Sequence, residues 1–110
     1  IWIDDEKMMD AVTAVSGSGP AYVFYFIEAI VKAGVELGLP KEIAEKLAFT
    51  TVRGSAKLAE TSESSLSELI TQVTSPGGTT EAALKVLTKN NNFHALIQDS
   101  IKAAAARSKE

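Results

Sequence analysis

Residues 73–80 read Val-Thr-Ser-Pro-Gly-Gly-Thr-Thr, and most of the chemistry this sequence offers is gathered there. Pro76 fixes one φ angle and removes a backbone donor. Gly77 and Gly78 can adopt positive φ and let a second molecule come close to the main chain. A helix is expected to follow. The N–H groups of Gly78, Thr79, Thr80 and Glu81 would then open it without carbonyl partners, at the positive end of its dipole. The hydroxyls of Ser75, Thr79 and Thr80 cluster at the same point. Together these groups suit a small anion, a carboxylate or a phosphate. Glu81 would have to face outward. A helix cap made of turn residues uses the same types without any ligand, so spacing alone leaves both readings open. A nucleotide phosphate loop is excluded, because no lysine follows the glycines and no strand precedes them.

Two other places carry candidate chemistry. Ser16-Gly17-Ser18-Gly19-Pro20 has the look of a glycine-rich nucleotide loop, but it lacks the strand–helix–strand setting of a dinucleotide fingerprint. Its default role is to break one helix and start the next. His94, beside Phe93, has no motif around it and reads as a surface or capping histidine. With one histidine and no cysteine, a metal site within the chain is not expected, and the redox compartment stays open. Net charge is −3 without a basic cluster, which argues against nucleic acid as a partner.

The elements that must position these residues follow a helical period throughout, and an all-α domain of six helices is expected over residues 1–110. Asp4 or Asp5 caps the first, with Trp2 or Ile3 as a staple and Met8, Ala11, Val12 and Val15 on its inner face. Pro20 sits in the first turn of the second, which ends at Gly38. Pro40 opens a third, running to about Ala59 or Glu60, with an inner stripe of mostly small residues: Ala44, Leu47, Ala48, Thr51, Val52, Ser55, Leu58 and Ala59. The polar link 61–65 leads into a short fourth helix carrying Leu66, Leu69, Ile70 and Val73. The fifth bears Thr80, Ala83, Leu84 and Leu87. After the turn Asn90-Asn91-Asn92, the last presents Phe93, Leu96, Ile97, Ile101 and Ala104.

The second helix is too apolar to stand alone. In 21–37, 13 of 17 residues are apolar, and 22–27 leave no polar face. Such a helix must be covered on all sides. Either it is the core helix of this chain, or a partner subunit, in the first instance an identical chain, completes the cover. Gly34 and Gly38 form a G-x-x-x-G pair placed for capping rather than dimerisation. The apolar stretch 21–27 is short of the ~20 residues of a bilayer span, so no membrane is expected.

Three segments together, S-G-S-G-P-A-Y at 16–22, G-L-P at 38–40 and V-T-S-P-G-G-T-T-x-x-A-L-x-x-L at 73–87, resemble the C-terminal domain of the pyrroline-5-carboxylate reductase family. The likeness runs from Ala11 onward. It departs at Thr88, where the family usually has an acidic, amide or lysine residue. The resemblance implies a helical domain that interlocks with its twin as a homodimer, with assembly of dimers into a larger oligomer left open. It also implies a separate Rossmann domain, absent here, that binds NADPH or NADH. The implied reaction is hydride transfer to the C=N carbon of pyrroline-5-carboxylate, giving L-proline. The implied substrate site is Ser75, Gly77, Gly78, Thr79 and Thr80, with Thr80 facing the ring nitrogen as the catalytic candidate. Glu63 is implied as a contact behind that nitrogen. Ser18, Gly19 and Pro20 would lie on the cofactor side.

Two rivals stand beside it. One is the helical domain of another NADP-dependent dehydrogenase, which calls for a catalytic lysine in the central helix, where only Lys32 is available. The other is a non-catalytic helical interaction module. Further expectations are a cytoplasmic setting without a signal peptide, a chain that begins inside a longer protein because its first residue is Ile1, and no activity for the chain alone.

Overall fold

Helix α1 (Glu6–Val12) is capped by Asp5, whose carboxylate accepts from the Lys7 N–H at 2.8 Å. Asp4, Trp2 and Ile3, also expected at this end, lie outside the residues that the structure describes, which are 5–109 of a computed structural model. Six α-helices follow one another among the described residues, with no strand, as the periodicity requires. The chain divides into two compact units. One holds residues 5–22 and 81–109, the other residues 23–80.

In the first unit the expected break at 16–20 does not occur. The backbone widens into a π-helical turn, Thr13–Gly17, bends once at Ser18, and continues as α2 (Gly19–Glu36). The Ser18 N–H reaches back five residues to the Thr13 carbonyl at 2.9 Å. The register therefore slips by one just ahead of Pro20, which has no N–H to contribute. The slip leaves the Ala14 carbonyl without the donor a regular helix would supply. The Tyr22 hydroxyl fills that place, donating to it at 2.8 Å. The joined run Glu6–Glu36 is 31 residues, long and apolar enough to cross a membrane by length and composition. The apolar stretch 21–27 is thus one part of a longer helix.

Helix α6 (Asn92–Ser108) packs on α1 and the π-turn, and the Ser108 hydroxyl donates to Asp10 at 2.9 Å. The fully buried residue of this unit is Ala14, where α6 meets the turn. The expected face of α1, Met8 and Val12 with Val15 beyond it, stays exposed. Helix α5 (Thr79–Leu87) enters α6 through a short 3₁₀ turn, Lys89–Asn91. Asn90 and Asn91 sit there at φ 54° and 57°, a left-handed conformation that asparagine tolerates because its short amide bonds locally.

In the second unit α2 ends as the sequence suggests. Gly38 lies at φ 106°, the Leu39 N–H reaches the Gly34 carbonyl at 3.1 Å, and the Gly38 N–H reaches Val35 at 2.9 Å. This is the paired closure of a Schellman motif. Gly34 has a second use. A Cβ there would lie 3.4 Å from Ala44 and from Leu39, so bareness lets α3 (Lys41–Thr61) come close. Of the expected inner stripe of α3, only Ala44 and Ala48 are fully buried. No residue of α2 is, and Phe24 and Tyr25 are 68% and 76% exposed. The core-helix reading of α2 therefore fails within this chain.

Helix α4 (Leu66–Gln72) begins with a capping box. The Ser65 N–H donates to Glu68 at 2.8 Å and the Glu68 N–H donates to the Ser65 hydroxyl at 3.1 Å. The first of these bonds, then the Ser65 hydroxyl, holds the Glu68 carboxyl below its ordinary value of 4.5. A depressed carboxyl stabilises the fold above the unfolded-state value, and the contribution disappears as pH falls through the depressed one. The Glu68 side-chain carbon signal is expected to titrate below pH 4.5, and Ser65→Ala, which removes the hydroxyl but keeps the main-chain donor, to raise the midpoint only part of the way back. Ser65→Ala should also cost about 1 kcal/mol in a denaturant melt.

Candidate functional site

The glycine turn is assembled from both of its ends. The C-terminus of α4 is closed by Thr74, whose N–H bonds Thr71 at 3.1 Å and whose hydroxyl bonds the Ile70 carbonyl at 2.6 Å. Ser75-Pro76-Gly77-Gly78 then forms a β-turn, with the Gly78 N–H donating to the Ser75 carbonyl at 3.0 Å. Proline second and a positive-φ glycine third, Gly77 at 73°, is the type II arrangement. Gly78 is needed for a different reason, since a Cβ on it would lie 3.1 Å from the Ser75 oxygen. Helix α5 starts at the next residue, Thr79.

This geometry narrows the anion site. The Gly78 N–H closes the turn, so it is not an open donor as expected. The contribution of Gly78 is its bareness. The N–H groups of Thr79 and Thr80 belong to the first turn of α5, which has no preceding helical carbonyls to occupy them. Ser75 and Thr79 are exposed and Thr80 is half-buried, all within one short stretch. Glu81 reaches along the helix to Lys85, 3.8 Å away, an orientation compatible with an anion at the turn. The arrangement offers main-chain and hydroxyl donors to a carboxylate, and the Thr80 hydroxyl to a neighbouring polar atom.

Glu63 is not brought to this turn within the chain. It is exposed in the link before α4, where the Ser64 N–H bonds the Ser62 hydroxyl at 3.0 Å. The turn lies beyond the other end of α4, roughly 10 Å along a helix of that length. Ser18, Gly19 and Pro20 belong to the other compact unit. Both main-chain groups of Ser18 are committed, the N–H to Thr13 and the carbonyl to the Ala21 N–H at 3.1 Å, which leaves its hydroxyl for a ligand. A Cβ on Gly19 would meet nothing within 4 Å, so no neighbour in the chain requires that glycine. Gly54, in the middle of α3, is bare in the same way.

His94 is exposed, with its ring edge-on to Phe93 at 6.4 Å, as expected of a surface histidine. Lys32, the lysine that the rival dehydrogenase reading would call on, pairs with Glu28 at 3.5 Å on an exposed face. Among the described residues no group of three His, Cys, Asp or Glu side chains is placed to hold a metal. Sequence reasoning missed Tyr22. The available signal was a proline two positions before a tyrosine, directly behind a glycine-rich turn.

Fold and site define an all-helical class of domain with bare apolar faces and a glycine turn that delivers a helix N-terminus. The chain belongs to the pyrroline-5-carboxylate reductase dimerisation family, whose model matches residues 6–110. It is 50% identical to the pyrroline-5-carboxylate reductase of Pseudomonas aeruginosa and 46% identical to that of Pisum sativum, covering all of this chain and 40% of each relative. It thus spans two fifths of the length of these curated relatives. Among solved structures, a pyrroline-5-carboxylate reductase from Coxiella burnetii matches at a TM-score of 0.93 and 46% identity, over 99% of this chain and 40% of that one. A pyrroline carboxylate reductase from Plasmodium falciparum, with NADP bound, matches at 0.91 and 40% identity, over 96% and 40%.

Gly77→Ala would force a side chain into the left-handed region and should destabilise the turn by about 1 kcal/mol. Gly77→Asn should cost less. Thermal melts of the two variants check the order, which would reverse if Gly77 did not hold positive φ in solution.

Proposed function

We propose that this chain is the dimerisation and substrate-binding part of an NAD(P)H-dependent reductase that converts 1-pyrroline-5-carboxylate to L-proline. The observation that carries the reading is the type II turn that ends at Gly78 and presents Thr79 and Thr80 at the start of α5. Family membership supports the substrate read for that turn, a five-membered cyclic imine with one carboxylate. In this reading the carboxylate lies on the N–H groups of Thr79 and Thr80 and the Ser75 hydroxyl, held by charge-assisted bonds. The Thr80 hydroxyl faces the ring nitrogen and helps deliver its proton. Glu63, being distant within one chain, acts on a site completed by another copy.

Ser18, Gly19 and Pro20 stand on the cofactor side, where the open space over Gly19 has room for a flat ring. The bound nicotinamide, held mainly by a dinucleotide-binding part outside this chain, supplies the hydride. That hydride would go to the C=N carbon and a proton to the nitrogen, giving the secondary amine. The protein's share is positioning. Without the dinucleotide-binding part, the chain alone is inactive.

The partner is a second copy. Phe24 and Tyr25 project from a helix that has no fully buried residue, and Gly54 leaves a gap in α3 that nothing among the described residues fills. An interior helical glycine costs about 0.5–1 kcal/mol relative to alanine, and a close helix from a twin would offset it.

Three measurements test the reading. Thr80→Ala in the full-length enzyme should lower kcat well beyond any change in cofactor KM, and an unaltered kcat removes Thr80 from its role. Sedimentation equilibrium of the chain should give a dimer at micromolar concentration. A folded monomer, or a species that stays in solution only with detergent, defeats the homodimer. Gly54→Ala should raise the dimer's dissociation constant about tenfold, or about 1.4 kcal/mol.

A further inference from the structure

We propose that Tyr22 is a positioning residue for the cofactor side of the site, acting through the π-turn rather than by touching a ligand. This rests on the reading of Ser18, Gly19 and Pro20 given above. Between Thr13 and Pro20 the helix gives up its regular bonding, because the Ser18 N–H goes five residues back and Pro20 has no N–H. A chain so freed can relax into a regular α-turn, which would rotate Ser18 and Gly19 relative to α1. Something must hold the slipped register.

The bond from the Tyr22 hydroxyl to the Ala14 carbonyl is suited to that task. It is 2.8 Å long and spans eight residues, from one side of the turn to the other. Helical side chains point toward the N-terminus, so Tyr22 folds back past Ser18 and Gly19 to make it. The carbonyl it reaches is on Ala14, fully buried under α6, where a lost partner is not readily replaced by water. In a regular α-turn the Ser18 N–H would bond this same carbonyl. The hydroxyl thus competes with the regular register for one acceptor, and its presence selects the π form. In the slipped form Ser18 and Gly19 are both half-exposed, and a Cβ on Gly19 would meet nothing within 4 Å.

The test uses Tyr22→Phe, which removes the hydroxyl and keeps the ring. In the isolated chain, amide exchange at Ser18 and Ala21 should quicken about five- to tenfold, as for a lost buried hydrogen bond, while exchange in α3 holds. In the full-length enzyme, cofactor KM should rise about five- to tenfold with imine KM unchanged, the split expected of a shift on one side of the site. Unaltered exchange at Ser18 overturns the latch. Equal rises in both KM values overturn the positioning role and leave Tyr22 a stability residue. A wild-type full-length enzyme without reductase turnover overturns the functional reading itself, and this proposal with it.

Discussion

Among the described residues only alanines are fully buried, Ala14 in one unit and Ala44 and Ala48 in the other. An alanine contact brings two helix backbones close but hides little apolar area. Burial of that size does not compensate the entropy of ordering so many residues. The large side chains, Phe24, Tyr25, Phe49 and Leu96 among them, are left on the outside. The chain therefore shapes its helices internally and leaves most of its hydrophobic stabilisation to whatever covers these faces. Helix ends are accordingly well finished: a Schellman closure at Gly38, a capping box at Ser65, and side-chain caps at Asp5 and Thr74.

The glycine turn is a product of the same economy. Local chemistry specifies it almost completely, through a proline, a positive-φ glycine and a second glycine that must clear a carbonyl oxygen. Such a turn keeps its form with little support from a core.

How much of this was legible in the sequence depends on how local the cause was. The six helices, the cap at Asp5, the stop at Gly38 and the asparagine turn were all readable, because each depends on a few neighbouring residues. The π-turn was not. Gly17, Gly19 and Pro20 signal a break, and continuity there depends on a bond five residues back and a tyrosine hydroxyl eight residues on. The Gly78 N–H was assigned to a ligand because sequence gives the residue at a helix start but not the turn that spends its donor. The inner face of α3 was half right. Periodicity identifies an apolar stripe, and it cannot say whether the cover comes from the same chain. Thr79 and Thr80 open α5, as the helical period suggests, while Glu63 is separated from them by the length of α4.

The bond between Ser108 and Asp10 joins residues 98 apart in sequence, within a unit built from both ends of the chain. The other unit, 23–80, is one uninterrupted stretch. A ribosome releasing this chain completes that stretch before it completes the other unit. The first unit has to wait until residues 81–109 have emerged, so α1 and the π-turn spend that interval without α6. The glycine turn lies in the stretch that can form first, and the Ser18 turn is finished only after residues 81–109 have emerged.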